Sequence, residues 1–218
     1  MIDTDLLRYL EGFLTEERKA RFQAVLSQRT KFLTVVMEDV FQLHNTSAVL
    51  RSCDAFGIQE AHVVEDRFGS RLDKNIAMGA EQWVDIHRYS KMEHCIDTLS
   101  EQGYNILATA PYGDCTLLGD YQICDKTALF FGTEREGLSD MVKSRADGFL
   151  KIPMVGFSES LNISVSAAII LETLSKQLRA SELPWSLSDS ERLEKRLDWT
   201  KKSIKDVEGI IQRYLSER

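Results

Sequence analysis

Residues 127–139 read TALFFGTEREGLS. After its first residue TALFF is wholly apolar, the pattern of a strand buried on both faces. Gly132 follows at once, and Glu134, Arg135 and Glu136 separate it from Gly137. Glycine tolerates backbone bends that other residues resist and lets a ligand come close to the main chain. A buried strand with a charged, glycine-bracketed tip therefore points to an α/β sheet, in which ligands gather at the carboxyl ends of strands.

The same pattern runs outward from this strand. FLTVVM at Phe32–Met37 is a second apolar, β-branched run, and further strands are predicted near 60–65, 83–89, 104–110 and 148–154. Helical stretches are predicted between them, near 45–56, 73–80, 90–102, 138–145 and 161–179, with Gly57 and Gly103 just past the ends of two, where left-handed caps belong. Strand and helix in alternation predict an α/β domain with a mainly parallel sheet flanked by helices. Two helices, Thr4–Leu10 and Thr15–Gln28, are expected before it. Ser181–Asp189, with Pro184, reads as a linker, and residues 190–218 as one amphipathic helix or two short ones. Leu193, Leu197, Ile204, Val207, Ile211 and Leu215 form the apolar stripe of that segment, which packs on the core or on a second subunit. Lys195, Arg196, Lys201, Lys202 and Lys205 offer an RNA-facing alternative on the other side.

The 218 residues suffice for one domain with helical additions, and no apolar run approaches the length of a membrane span. The N-terminal MIDTDLLRYLEG lacks the basic and apolar regions of a secretory signal, which points to a cytoplasmic protein. Cys53, Cys95, Cys115 and Cys124 are scattered, without C-x-x-C spacing, and read as free thiols, mostly core; with the four histidines equally dispersed, no metal site is expected. The net charge of −7 is uneven: residues 1–31 and 190–218 together carry +3, so the remaining residues carry −10. A polyanion would be held mainly by the ends.

Three polar or glycine-rich tips stand at strand ends. In HNTSAVLRSCDAFG, Asn45 is placed to cap the helix after Phe32–Met37, and Arg51 follows six residues later. Six residues turn an ideal helix by about 600°, so the two side chains converge only if Asn45 lies outside the helix. The second tip, after TALFF, has a phosphate-loop outline, but it continues Leu138-Ser139 rather than Lys-Ser/Thr. In the third, IPMVGFSESLNISVSAAIILE, Ser160 is a candidate cap and Asn162 a first-turn polar residue of a helix apolar around nearly its whole circumference, hence expected to be buried.

In this order the tips resemble the three motifs of the SpoU family of RNA ribose 2′-O-methyltransferases, within the knotted SPOUT superfamily. Asn45 to Arg51 matches N-x-x-x-x-x-R, FGTEREGLS at Phe131–Ser139 matches G-x-E-x-x-G-L-S, and Ile152 to Ala168 matches I-P-M…S-L-N-x-S-x-A. The resemblance covers residues 30–180, and the short helical ends look most like the branch that methylates guanosine 18 of tRNA. It implies a catalytic domain at 31–180 with a C-terminal deep trefoil knot, a helical extension at 1–30, and a linker with a second helical extension at 181–218. It also implies a homodimer, S-adenosyl-L-methionine as cofactor and tRNA as partner. A ribosomal RNA substrate, or a noncatalytic RNA-binding knot protein, are the competing readings.

Carried over residue by residue, the cofactor pocket comprises Thr109, Ala110, Gly132, Ile152, Met154 and Leu161. Arg51 fixes the 3′ phosphate and the ribose oxygen or acts as the base, although a guanidinium is a poor base at neutral pH. Asn45 orients Arg51 or the ribose, and Glu134 pins the knot loops or Arg51. Ser160 and Asn162 position the site across the subunit boundary or support the cofactor loop. For Glu134 and Asn162 a purely structural role in the knot stays open.

Overall fold

Among the described residues seven parallel strands form one sheet: β1 Leu33–Glu38, β2 Glu60–Val64, β3 Asp85–Tyr89, β4 Asn105–Thr109, β5 Thr116–Leu117, β6 Thr127–Phe131 and β7 Gly148–Lys151. Their order across the sheet is β3-β2-β1-β6-β4-β7-β5. The computed structural model describes residues 3–40, 43–65, 79–110, 114–133 and 136–217. Most of the helix expected near 73–80 lies outside them. The chain divides into two units, residues 30–185 and residues 1–29 with 186–218.

In the first unit the two-residue period of the strands sorts side chains onto two faces. Leu33, Val35 and Met37 of β1, Leu107 of β4 and Leu129 and Phe131 of β6 point to one face, packed by α3 (Leu43–Ala55) and α6 (Ile163–Arg179). Val36, Ile106, Ala108, Ala128 and Phe130 point to the other, packed by α4 (Met92–Glu101) and α5 (Asp140–Arg145). On α6, Ile163, Ala167, Ile170, Leu171, Leu174 and Leu178 form the buried stripe. Each such Leu or Ile contributes about 2 kcal/mol through burial. The outer face of α6 is a correction to the sequence reading: Val165 is 45% and Ile169 37% exposed, so the helix is not buried all round within one chain.

The inner strand β1 pairs with β2 on one side and β6 on the other, with Met37 opposite both Val63 and Phe131. The chain leaves β1 toward β2 and β3, then returns to β4 on the far side of β6. This reversal puts the carboxyl ends of β6, β4 and β7 side by side.

The second unit holds α1 (Thr4–Glu11), α2 (Glu16–Leu26), α7 (Asp189–Ser203) and α8 (Val207–Ser216). Asp3 caps α1, accepting the N–H groups of Asp5 and Leu6 at 3.0 and 2.9 Å. Ser188 and Glu191 close a capping box on α7, which fixes where the 181–189 segment ends. The C-terminal segment is two helices because Asp206 adopts a left-handed φ of 56°. Its buried anchor is Trp199, 1% exposed, with Phe22 edge-on at 5.6 Å, rather than the leucine stripe, whose Leu215 is 55% exposed. Arg196 donates to both carboxylate oxygens of Glu11.

Among the described residues no helix is long and apolar enough to cross a membrane. Of the four cysteines, Cys53 and Cys95 are buried, Cys115 is half-buried and Cys124 is exposed.

Candidate active site

A cavity of about 480 Å³ opens at the carboxyl ends of β4, β6 and β7. Thr109 ends β4 and Ala110 follows it, Gly132 and Thr133 follow β6, and Ile152 and Met154 follow β7; Ser160, Leu161 and Ile163 enter from the start of α6. All six residues assigned to the cofactor by resemblance therefore stand around one cavity, with Ser160. Phe131, Leu138, Phe149, Leu150 and Ile170, which the sequence reading did not single out, supply apolar wall, and Glu136, Lys143 and Glu159 supply charge. The apolar ones were visible only as core residues of strand or helix, with nothing to mark them as lining.

The wall is fixed by main-chain geometry. Thr109 donates its hydroxyl to the carbonyl of Phe130 at 2.8 Å, and Ala110 donates its N–H to that of Leu150 at 3.1 Å. Thr133 and Gly137 exchange N–H···O bonds of 3.1 and 3.0 Å, closing the tip into a tight loop. The two glycines serve different needs. Gly137 has φ +69°, whereas Gly132 is required by contact: a Cβ there would stand 2.2 Å from the carbonyl carbon of Gly137 and 2.4 Å from the nitrogen of Leu138. Ser139 caps α5, and its own N–H is accepted by Glu38 at 2.8 Å.

Asn45 is not a cap, because α3 already begins at Leu43. It is 3% exposed and accepts a hydrogen bond of 3.1 Å from Nδ2 of Asn162. Asn162, not Ser160, is the N-cap of α6. Arg51 lies on the same helix as Asn45 but is exposed, as the roughly 120° between them requires, and neither residue lines the cavity. The structure thus brings Asn45 to Asn162, and Arg51 is not among the residues that line the cavity within one chain. Glu134 lies outside the described residues. Among the described residues no group of three or more His, Cys, Asp or Glu is placed to hold a metal ion.

A pocket of this size with apolar walls, exposed backbone edges and charges of both signs suits a small molecule with a flat ring and a zwitterionic end. Residues 32–172 match the SpoU rRNA methylase family. A tRNA (guanosine(18)-2′-O)-methyltransferase of Borreliella burgdorferi is 38% identical over 212 residues, covering 96% of this chain and 97% of the relative. The crystal structure of the A. aeolicus TrmH/SpoU tRNA modifying enzyme is similar with a TM-score of 0.76 at 29% identity, over 87% of this chain and 98% of that one. The SpoU methyltransferase AviRb from Streptomyces viridochromogenes, solved in complex with the cofactor AdoMet, shares the fold at a TM-score of 0.63 and 24% identity, over 72% of this chain and 64% of that one. With the matched residues spanning the whole sheet and all three tips, the chain belongs to the SpoU rRNA methylase family.

Proposed function

We propose that the chain is an S-adenosylmethionine-dependent tRNA (guanosine-2′-O)-methyltransferase that modifies guanosine 18, working with its tRNA in the cytoplasm. The observation that carries this reading is 38% identity to a guanosine-18 enzyme over 96% of the chain, terminal helices included. Ribosomal RNA is the competing substrate.

The residues present fit the cofactor. Phe131, Leu138, Phe149 and Leu150 offer apolar wall for adenine, and Glu136, Glu159 and Lys143 offer partners for an amino-acid end. S-adenosylmethionine, when bound, supplies a sulfonium methyl group open to in-line displacement by a ribose 2′-oxygen. A 2′-hydroxyl is a weak nucleophile at neutral pH, so the protein must hold it in line and give its proton a destination. In this reading Arg51 clamps the 3′ phosphate and the ribose oxygen, and the phosphate assists removal of the proton. A planar fork suits that task and a general base does not. Glu134 braces the loop that carries it, while Asn45, Ser160 and Asn162 hold α3 and α6 in register at the site.

We infer a C-terminal trefoil knot whose wall is the 132–137 loop; membership of the family supports it. We also infer a homodimer. Val155 and Phe157 are fully exposed and Val165 and Ile169 partly so, an apolar surface beside the cavity that a second copy would cover. Arg51 would then reach the cavity of the partner subunit.

The test is transfer of labelled methyl groups to unmodified tRNA transcripts and to ribosomal RNA, followed by mapping of the modified ribose. Label at guanosine 18 is expected. Label in ribosomal RNA alone would overturn the substrate, and cofactor binding without transfer to any RNA would overturn the enzyme.

A further inference from the structure

Asn162 does more at the start of α6 than cap it. Its Oδ1 accepts the backbone N–H of Ser164 at 2.8 Å and the Ser164 hydroxyl at 2.6 Å, while its Nδ2 donates to Oδ1 of Asn45 at 3.1 Å. The direction of these bonds follows from one group whose polarity is not in doubt. A backbone N–H only donates, so the amide atom facing Ser164 is the oxygen of Asn162. The hydroxyl at 2.6 Å, meeting that same oxygen, must donate as well. The nitrogen of Asn162 is thereby turned to Asn45, which must meet it with its own oxygen. Reversing either amide would set two donors against each other.

We propose that Ser164 is a positioning residue for methyl transfer: its hydroxyl adds a second donor to the backbone N–H that orients the Asn162 amide, tightening that amide and through it holding Asn45 with its N–H donors on the side away from Asn162. This assignment rests on the proposed methyltransferase reading. Asn45 is 3% exposed, so its amide is set by its neighbours rather than by solvent. The chain of donors Ser164 to Asn162 to Asn45 links the third tip of the sequence to the first, on the two helices that pack against the same face of the sheet. It spans 117 residues of sequence between the two asparagines. An ordinary cap would need only the Asn162 oxygen and one N–H. The serine hydroxyl and the outward-turned nitrogen are additional to that need.

Three variants separate positioning from capping. Ser164→Ala leaves the backbone cap but removes the second donor; Ser164→Thr keeps a hydroxyl; Asn162→Asp keeps a capping oxygen but has no N–H for Asn45. We expect Ser164→Ala to lower kcat for tRNA methylation about tenfold, the scale of one lost oriented hydrogen bond, with KM for S-adenosylmethionine unchanged. Ser164→Thr should restore most of it, and Asn162→Asp should lose at least as much as Ser164→Ala at an unchanged melting temperature. Wild-type kcat in Ser164→Ala, or a loss that tracks melting temperature across all three variants, would overturn the assignment. The side-chain amide resonances of Asn45 and Asn162 read the same relay without activity. Their shift in Ser164→Ala is expected, and unchanged resonances would sink the proposal. Should the wild-type chain methylate no RNA, the functional reading fails while those resonances still decide the hydrogen-bond relay.

Discussion

The carboxylate of Glu38 accepts the backbone N–H of Ser139 at 2.8 Å across 101 residues of sequence. Glu38 ends β1, beside the point where β6 gives way to the 132–139 tip, and it is 4% exposed. One buried acid therefore ties β1 to the loop whose Gly137 and Leu138 wall the cavity. Removing it leaves a partly buried N–H without its acceptor, at a cost of about 1–3 kcal/mol. Glu38→Ala is expected to lose that much stability in urea unfolding and to weaken S-adenosylmethionine binding. Glu38→Gln, which keeps an acceptor, should lose less than half as much. Equal losses in the two variants would show that charge, not the bond, matters.

At the same tip, Gly132 and Gly137 should respond differently to alanine. A Cβ at Gly132 meets backbone at 2.2 to 2.4 Å, which no side-chain movement relieves. At Gly137 a Cβ meets nothing within 4 Å, and only the positive φ resists it, at about 1–2 kcal/mol. Gly132→Ala is expected to abolish cofactor binding in calorimetry and to lower soluble yield. Gly137→Ala should stay folded and bind, and a reversed order would refute the close-approach argument.

The strands buried on both faces could be read from sequence because an uninterrupted apolar run such as TALFF identifies itself without its neighbours. Their order could not. β6 lies between β1 and β4 by pairing Thr127 with Leu33, 94 residues before it, as well as with Asn105, 22 before it, and nothing local encodes the first. The two residues of β5 are too few to show any period. The tips were legible as ligand loops because glycine and polar residues closing an apolar run mark a carboxyl end. Which polar residue caps a helix was not: α3 starts two residues before Asn45, and Asn162 rather than Ser160 caps α6, leaving Ser160 at the cavity. Several polar side chains within a few residues can serve as caps, and the path of the preceding loop chooses among them. Trp199 was passed over because a leucine stripe at helical spacing looks like the buried face, while here the largest side chain fills the helix cluster.

On the other side of the sheet a buried histidine makes stability depend on pH. His62 is 2% exposed and stacks on His87 with ring centroids 4.8 Å apart. Burial, and then a positive charge on His87, push its pKa down to about 4, against a smaller upward pull from Glu60. Burial alone would raise the Glu60 pKa, but the His87 imidazole 3.8 Å away and the Lys31 ammonium at 2.8 Å outweigh it and hold the carboxyl at about 2. The unfolded chain takes up a proton at His62 below about pH 6.5, while the folded chain resists until about pH 4. Stability should therefore fall as pH drops through that window, by up to about 3 kcal/mol. The Glu60 contribution is lost only lower, between the usual carboxylate range and about pH 2. His62→Phe should flatten the slope of unfolding free energy between pH 6.5 and 4; an unchanged slope would assign it to other groups.

Arg51 does not line the cavity of its own chain, and the last prediction follows from that. If a second copy covers the outer face of α6, each site draws its cavity from one subunit and Arg51 from the other. Arg51→Ala and Ala110→Phe, which fills the cavity, should each be inactive alone. Unfolded together and refolded, they form mixed dimers in which one site has an open cavity facing an intact Arg51. Random pairing makes about half of the dimers mixed, with one good site in two, so about a quarter of wild-type activity should return. If Arg51 instead serves its own subunit, every site in every mixed dimer carries a lesion, and the mixture should stay inactive. Ile169→Glu adds a charge to the α6 face, which is 37% exposed at that residue, and should prevent pairing. When placed in both chains it should keep the mixture silent, while the Arg51→Ala chain, whose cavity stays open, still binds S-adenosylmethionine beside Thr109, Gly132 and Leu161.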